Sequence, residues 1–224
     1  MPRSPVPADT AVLDIDGTLV DSNYHHTLAW SRAFRASGHD VPCWRIHRHI
    51  GMGGDRLVAA VAGDAVEQRD GDTVRDAWET EYDALIGEPV AFPGARRLLG
   101  ELQERGLQVV LASSSIPRHA EHAIGLLRPE GRVDAATTSE DAEESKPDPE
   151  LLAAAVERVD GTRSVVVGDS VWDVEAAHRL DIPVVALLSG GFGEEELRGA
   201  GAEWVYAGVQ ELLDDLDRVV RPRR

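Results

Sequence analysis

Two aspartates one residue apart stand in the segment DIDGTLVDS, directly after an apolar run, and a third aspartate ends the later run SVVVGD. These residues are Asp14, Asp16 and Asp169. Two carboxylates roughly 4 Å apart repel by about 4 kcal/mol at an effective dielectric of about 20, so three of them at a half-buried site need a cation. Oxygen ligands with an incomplete protein shell favour Mg²⁺. The spacing therefore predicts a magnesium site.

Lys146, in the segment ESKPDPEL, is the only lysine of the chain, and the other 22 of its 23 lysine and arginine side chains are arginine. Lysine is a compact charge on a slim stem, so a crowded anion site favours it over the wide guanidinium of arginine. Together with Mg²⁺, this lysine, the Ser113 hydroxyl and the amides of Gly17 and Thr18 would bind a small anion such as phosphate. One aspartate can then attack phosphorus, and the other can protonate the leaving oxygen.

Five short apolar runs are typical of strands that are covered on both faces, because they are continuous rather than alternating. They span residues 10–15, 107–113, 133–139, 164–169 and 182–188. Helical patterns separate or follow the later runs, at 94–105, 117–127, 148–159, 171–180, 194–200 and 208–219. This alternation predicts an α/β fold with a Rossmann-like, doubly wound parallel sheet, in which ligands bind at the carboxyl ends of the strands. The candidate residues would then converge on one edge of the sheet.

Residues 21–90 break this alternation, because they contain helical patterns only, at 22–37, 43–50, 55–62 and 73–86. A helical segment between the first strand and the rest of the sheet indicates an inserted α-helical cap. We therefore expect a core domain formed by residues 1–20 and 91–224, and a cap domain formed by residues 21–90.

The composition excludes several classes of partner. A formal net charge of −17 disfavours binding to nucleic acid or anionic membranes. The single cysteine, Cys43, allows no internal disulfide, which suits a reducing compartment. The sequence has no membrane-span-sized apolar run and no signal-peptide core, so we expect a cytoplasmic protein. Its expected partner is a small phosphorylated metabolite, with a monomer as the default and a homodimer through the cap as the alternative.

Four segments, DIDGTLVDS, LASSS, KPDPE and GDSVWD, resemble in their order and separation the four motifs of the haloacid dehalogenase superfamily. The helical insertion resembles the type-one cap of that superfamily, in the branch of phosphoglycolate phosphatases and β-phosphoglucomutases. The resemblance extends from Val12 to about Ala186. It implies a Mg²⁺-dependent phosphatase that hydrolyses a small phosphate monoester through an aspartyl phosphate.

The first motif carries three implied roles. The resemblance makes Asp14 the nucleophile and a Mg²⁺ ligand. It makes Asp16 the general acid and base, with its main-chain carbonyl also on the metal. Thr18 is implied to position Asp16 or its loop.

The other three motifs complete the implied site. Ser113 would donate a hydrogen bond to the transferring phosphoryl group, and Ser114 would contribute its backbone amide. Lys146 would pair with Asp14 and a phosphoryl oxygen. Asp169 would bind Mg²⁺ directly, and Asp173 would hold a metal-bound water or brace the lysine.

Single residues argue for or against other activities that occur on the same fold. The presence of Asp16 argues against a metal-free dehalogenase, and the absence of lysine from residues 19–93 argues against a phosphonoacetaldehyde hydrolase. A phosphomutase resembling β-phosphoglucomutase stays open, because His25 and His26 stand where such enzymes carry a cap histidine. Gly54, however, stands where they carry a cap arginine. A catalytically silent binding protein is disfavoured because the motif residues are intact.

Substrate specificity is expected to lie in the cap segment WRIHRHIGMGGDRL. Arg45, Arg48 and His49 share one helical face by their spacing. This face is either a cationic lid, with Arg48 as a substrate-binding residue, or a solvated surface. The sequence leaves both possibilities open, and either Arg48 or Arg56 could replace the missing cap arginine.

Overall fold

A six-stranded parallel sheet forms the centre of the computed structural model, which describes residues 5–220. The spatial order of its strands is β5-β4-β1-β6-β7-β8, and two further strands, β2 and β3, pair separately as an antiparallel ribbon. The strands are β1 (Thr10–Asp14), β2 (Val20–Asp21), β3 (Val90–Ala91), β4 (Gln108–Ala112), β5 (Ala135–Thr137), β6 (Ser164–Gly168), β7 (Val184–Leu187) and β8 (Trp204–Tyr206).

The helices are α1 (Asn23–Ala36), α2 (Cys43–His47), α3 (Gly54–Ala62), α4 (Asp64–Asp83), α5 (Ala95–Glu104), α6 (Pro117–Leu127), α7 (Glu150–Glu157), α8 (Val171–His178), α9 (Glu194–Ala200), α10 (Val209–Asp214) and α11 (Leu216–Val219). Helices α5 to α11 cover both faces of the sheet, and α1 to α4 form a separate helical segment. Ala11 and Leu13 of β1 pack into a cluster with α5, α6, α10 and α11, whereas Val12 packs with α7, α8 and α9 on the other face. Burial of both faces explains why this strand is a continuous apolar run.

The predicted fold class, a Rossmann-like doubly wound sheet with flanking helices, is confirmed. All five predicted strands are present, each one to four residues shorter than its apolar run. The edge strand β8 was not predicted, because its three residues are too few to produce a pattern. The prediction of one helix over 208–219 was wrong, since the helix is interrupted at Asp215 between α10 and α11.

The helical segment has a hydrophobic cluster of its own, which includes Trp30, Phe34, Ile46, Leu57 and Val74. The chain enters and leaves this segment through the ribbon of β2 and β3. The predicted helix 73–86 was too short at its start, because α4 begins at Asp64 and runs through the buried Gly71. Within residues 5–220, none of the helices has the length and apolarity needed to cross a membrane.

The sheet topology places the candidate residues together. Strand β1 lies between β4 and β6 in parallel register, with Asp14 opposite Ala112. The carboxyl ends of these three strands therefore present Asp14, Ser113 and Asp169 at one edge. The ends of the predicted core domain, residues 1–4 and 221–224, lie outside the described residues.

Candidate active site

Lys146 lies at the centre of a buried cluster of carboxylates. Its ammonium group contacts Asp14 Oδ1 and lies 2.6 Å from Asp173 Oδ1, and only 5% of the residue is exposed. Carboxylate oxygens of Asp14, Asp169 and Asp173 lie within 4.8 Å of one another. One positive and three negative groups thus share a site with little water.

The electrostatics of the cluster show an excess of negative charge. Burial raises the pKa of Asp14 well above its usual value, and the attraction of Lys146 offsets this only in part. Burial also raises the pKa of Asp169 to about 7, with Asp173 adding to the rise. The pKa of Lys146 is raised, since Asp14 and Asp173 together outweigh the effect of its burial. A divalent cation would neutralise the remaining charge, so the donor set fits a hard ion such as Mg²⁺.

Asp169 is held in place by two side chains from the first motif and its extension. Thr18 donates to Asp169 Oδ1 at 2.6 Å, and Asn23 donates its Nδ2 to Asp169 Oδ2 at 2.9 Å. Of the two roles expected for Thr18, positioning Asp16 or its loop, the hydroxyl does not serve the first directly, because it is bonded to Asp169; positioning of the loop stays a prediction. The turn depends on Gly17, whose φ is +80° and whose Cβ, if present, would overlap Asn23 and Asp169.

Asp16 has partners separate from those of Lys146. Ser22 donates to Asp16 Oδ1 at 2.6 Å, and Ser115 donates to Asp16 Oδ2 at 3.0 Å. His26 Nε2 lies 3.2 Å from Asp16 Oδ1. Burial opposes ionisation of Asp16, but His26 and the two hydroxyl donors outweigh it and hold its pKa below the usual range.

The serines of the second motif are divided between two environments. The Ser113 hydroxyl lies 3.4 Å from Asp16 Oδ2 and accepts a hydrogen bond from the Ser115 amide at 3.1 Å. The Ser114 hydroxyl oxygen is buried and has no hydrogen-bond partner among the described residues. Ser115, which the sequence analysis did not single out, is the one that binds Asp16 most closely.

The sequence analysis named His26 only as a possible cap histidine of a phosphomutase and did not predict its contact with Asp16. It is buried, and its ring stacks on Tyr82 at 3.9 Å between centroids and lies near Trp78 at 5.9 Å. Helix α1 begins directly after β2, so its first turn lies over the end of β1 and points His26 at Asp16. The sequence shows both histidines, but only the structure shows that the His26 ring is buried whereas His25 is partly exposed.

Asp173 is fixed by the start of α8. The Asp173 amide donates to the Ser170 hydroxyl oxygen at 3.3 Å and the Ser170 amide donates to Asp173 Oδ2 at 3.1 Å, which forms a capping box; the Ser170 hydroxyl also donates to Asp173 Oδ2 at 2.6 Å. Its other oxygen faces Lys146. Of the two roles expected for Asp173, the structure therefore displays the bracing of the lysine.

The cap loop between α2 and α3 lies directly against the lysine loop. The Gly53 amide donates to Ser145 Oγ at 2.9 Å, and the Ser145 amide donates to Asp55 Oδ2 at 3.1 Å. A Cβ at Gly53 would come within 2.6 Å of the Ser145 side chain, so this close approach requires glycine. The helical segment therefore covers the carboxylate cluster.

Of the two possibilities left open for the face of Arg45, Arg48 and His49, a cationic lid or a solvated surface, the contacts of the structure favour the second. Arg48 pairs with Glu196, and its guanidinium lies 4.2 Å from the ring centre of Phe192. Arg56 is paired with Glu144, and His49 stacks on Trp172. The assignment of Arg48 to substrate binding thus needs correction, because a neighbouring carboxylate at the edge of the core already neutralises its charge.

Comparison with known proteins supports the interpretation of this cluster as an active site. A family model described as haloacid dehalogenase-like hydrolase matches residues 8–181. A phosphoglycolate phosphatase of Rhodospirillum rubrum is 31% identical over 219 residues, which cover 91% of this chain and 88% of the relative. A validoxylamine A 7'-phosphate phosphatase of Streptomyces hygroscopicus subsp. limoneus is 29% identical over 187 residues, which cover 80% and 85%.

A solved structure extends the comparison to three dimensions. The crystal structure of a hydrolase from Pseudomonas syringae superposes with a TM-score of 0.89 at 32% identity. The match covers 94% of this chain and 99% of the other.

The raised pKa of Asp169 makes the stability of the protein depend on pH and metal. Without metal, folding favours the protonated carboxyl, so this contribution to stability is present at low pH and is lost as pH rises to about 7. Mg²⁺ binds the ionised form. We therefore expect Mg²⁺ to raise the melting temperature more at pH 8 than at pH 5.5, as measured by calorimetry.

The matched control is Asp169→Asn, which removes the titrating group and leaves other groups that titrate in this range. In this variant the extra gain at pH 8 should disappear. An equal Mg²⁺ effect at both pH values in the unaltered protein would contradict the electrostatic account of the cluster.

Proposed function

This chain belongs to the haloacid dehalogenase-like hydrolases, and from that membership we propose that it is a Mg²⁺-dependent phosphatase of small phosphate monoesters. One observation carries the proposal. Asp14 and Asp16 share a single pocket, but Asp14 contacts Lys146 whereas Asp16 is held by His26 and Ser115. Two carboxylates in such different surroundings suit two different tasks, nucleophile and acid–base catalyst.

In the proposed reaction, an oxygen of Asp14 attacks phosphorus and the bond from phosphorus to the alcohol oxygen breaks. Asp16 gives its proton to the leaving oxygen. Water then attacks the phosphorus of the phosphorylated Asp14, Asp16 takes the proton of that water, and phosphate leaves. The lowered pKa of Asp16 keeps the carboxyl ionised, as its second task requires, and a bound anion beside it would raise that pKa for the first.

Lys146, on one side of Asp14, would neutralise part of the negative charge of the phosphoryl group. The side chains of Asp14 and Asp169, with the main-chain carbonyl of Asp16, would hold the Mg²⁺ ion. When bound, the ion supplies positive charge that stabilises the transferring phosphoryl group. Asp173 keeps the ammonium of Lys146 directed at Asp14.

The proposal includes the cap and its surroundings. We assign residues 21–90 to a cap domain over a core of residues 1–20 and 91–224, supported by the separate hydrophobic cluster of the helical segment. The substrate is a small phosphorylated metabolite, consistent with the names of the relatives. A cytoplasmic monomer remains part of the proposal, and the single cysteine supports that location.

A phosphomutase is the second candidate, because a mutase must hold a second phosphate in the cap. The pairing of Arg48 with Glu196 and of Arg56 with Glu144 leaves neither cation free for that task. A solved structure titled as a β-phosphoglucomutase from Clostridium difficile is 17% identical, which supports the shared fold alone. The paired arginines therefore favour the phosphatase.

The first prediction concerns the nucleophile. The protein should release p-nitrophenol from p-nitrophenyl phosphate only with Mg²⁺, and Asp14→Asn should lower the rate at least about a thousandfold because the attacking group is gone. Asp160→Asn, at an exposed position between α7 and β6, is the matched control and should keep full activity. Metal-independent turnover, or an active Asp14→Asn variant, would refute the mechanism.

The second prediction concerns the lysine. Lys146→Arg keeps the charge but puts a wider group between Asp14 and Asp173, so turnover should fall by about a hundredfold or more. Circular dichroism should show a folded protein. Near-normal turnover would mean that the single lysine has no geometric role.

The third prediction concerns His26, which positions Asp16. His26→Gln should lower kcat by about 10- to 100-fold, with a smaller change in KM, because the proposed role of His26 is to position Asp16 through its contact with Oδ1. The acidic limb of the pH–rate profile should also move to higher pH. His25→Gln is the matched control; equal effects of the two substitutions would show that His26 acts only through packing.

A further inference from the structure

The space beside the two catalytic aspartates consists of two adjoining cavities. The inner cavity, of about 40 Å³, is lined by Asp14, Asp16 and the rings of Trp30 and Trp78. The outer cavity, of about 250 Å³, opens beyond it. Trp78 and Ser114 line both, so a leaving group attached to a phosphate at Asp14 would extend past these two side chains.

The walls of both cavities lack free positive charge. No lysine or arginine lines the inner cavity. The only cation of the outer wall is Arg75, which is already bonded to Glu67 and Asp72 and to the Gly54 carbonyl. Five carboxylates also line the outer wall. Asp55, Glu79 and Glu144 are ion-paired with Arg56 or Arg118, whereas Asp76 and Glu143 have no ion pair among the described residues. A substrate carboxylate would find no partner there and would be repelled.

Trp78 and Ser114, which line both cavities, each carry a buried polar atom that has no partner among the described residues. These atoms are the indole Nε1 of Trp78, a residue only 8% exposed, and the hydroxyl of Ser114. An unpartnered buried donor costs free energy until a ligand binds it. The indole is a donor only, so its partner must be an acceptor such as a hydroxyl oxygen.

The two tryptophans also contribute apolar ring atoms to the lining of the inner cavity. Trp30 and Trp78 stack at 4.8 Å between centroids with an angle of 12° between their planes. Aromatic rings of this kind contact the C–H faces of sugars and polyols, and they attract a cationic amine when one is present.

From these observations we infer that the leaving group is a hydroxylated sugar or polyol, neutral or amine-bearing, which contacts Trp30 and Trp78 and bonds to Trp78 Nε1 and Ser114 Oγ. The inference rests on the proposed phosphatase function and narrows its substrates. It excludes small phosphorylated acids, such as 2-phosphoglycolate, as preferred substrates.

The first test compares substrates that differ only in charge. With Mg²⁺ present, phosphate release is measured for 2-hydroxyethyl phosphate, 2-aminoethyl phosphate and 2-phosphoglycolate. Glucose 6-phosphate, glucosamine 6-phosphate and 6-phosphogluconate form a second series that reaches the outer cavity. In each series the neutral and amine-bearing compounds should exceed the carboxylate in kcat/KM by at least about tenfold.

The outcomes separate the inference from the function on which it rests. Equal or better turnover of the carboxylates would overturn the inference alone. Hydrolysis of p-nitrophenyl phosphate with no hydrolysis of either series would also overturn it and leave the proposed function in place. No hydrolysis of any monoester would refute the proposed function, and the inference with it.

The second test changes the charge of the outer wall. Asp76 and Glu143 are exposed and have no ion-pair partner among the described residues, so Asp76→Lys with Glu143→Lys should preserve the fold. The matched pair, Glu104→Lys with Glu130→Lys, makes the same change in net charge. Both residues are exposed: Glu104 ends α5 just before the amino end of β4, and Glu130 lies between α6 and the amino end of β5, at the opposite edge of the sheet.

The wall variant should improve the catalytic efficiency, kcat/KM, with which 6-phosphogluconate is hydrolysed relative to glucose 6-phosphate by about fivefold or more, because repulsion is replaced by attraction. The control pair should leave this ratio unchanged. The same ratio in both variants would show that the acidic wall does not face the substrate, which contradicts the inference.

The third test removes the indole donor and keeps the aromatic ring. Trp78→Phe should raise the KM for glucose 6-phosphate by about 3- to 10-fold, the loss of one neutral hydrogen bond. The rise should be smaller for p-nitrophenyl phosphate, which offers no hydroxyl. Equal changes for both substrates would assign Trp78 to packing alone and overturn its place in substrate binding.

Discussion

Lys146 and the three buried carboxylates around it impose the constraint on which the rest of the site depends. Asp14, Asp169 and Asp173 carry more negative charge than one ammonium group can balance in a site that excludes water. Such a site must either take up protons or bind a cation. The raised pKa values of Asp14 and Asp169 describe the first state, and a bound divalent ion would be the second. The surrounding hydroxyl and amide donors hold the carboxylates in the same arrangement for the protonated state and for the metal-bound state.

Asp16 is not part of this excess of negative charge, because its side-chain partners differ from those of Lys146. Only one residue separates it from Asp14, yet its pKa is lowered where that of Asp14 is raised. The difference arises because the two side chains have different partners, Lys146 for Asp14 and His26 for Asp16. His26 belongs to α1 of the helical segment. The pKa of Asp16, the proposed acid–base residue, therefore depends on the position of this segment, which would also surround the leaving group.

Much of this arrangement could be predicted from the sequence, and the failures have physical causes. Parallel strands with buried faces leave a strong pattern, so the sheet and the meeting of Asp14 with Asp169 followed from apolar runs. Side-chain direction leaves no such pattern. His26 and Asn23 face the site because α1 begins directly after β2. Arg48 pairs with Glu196, which lies 148 residues away along the chain, and is therefore not available to the site. Such long-range pairs are set by packing.

A crystal structure of the protein with Mg²⁺ and beryllium trifluoride tests the central claim most directly, because this fluoride mimics a phosphoryl group on a carboxylate. We expect beryllium bonded to a carboxylate oxygen of Asp14, a metal ion shared by Asp14 and Asp169, and the Lys146 ammonium on a fluoride. Beryllium on Asp16, or a metal ion bound away from the cluster, would contradict the assignment of Asp14 as the nucleophile in a metal-balanced site.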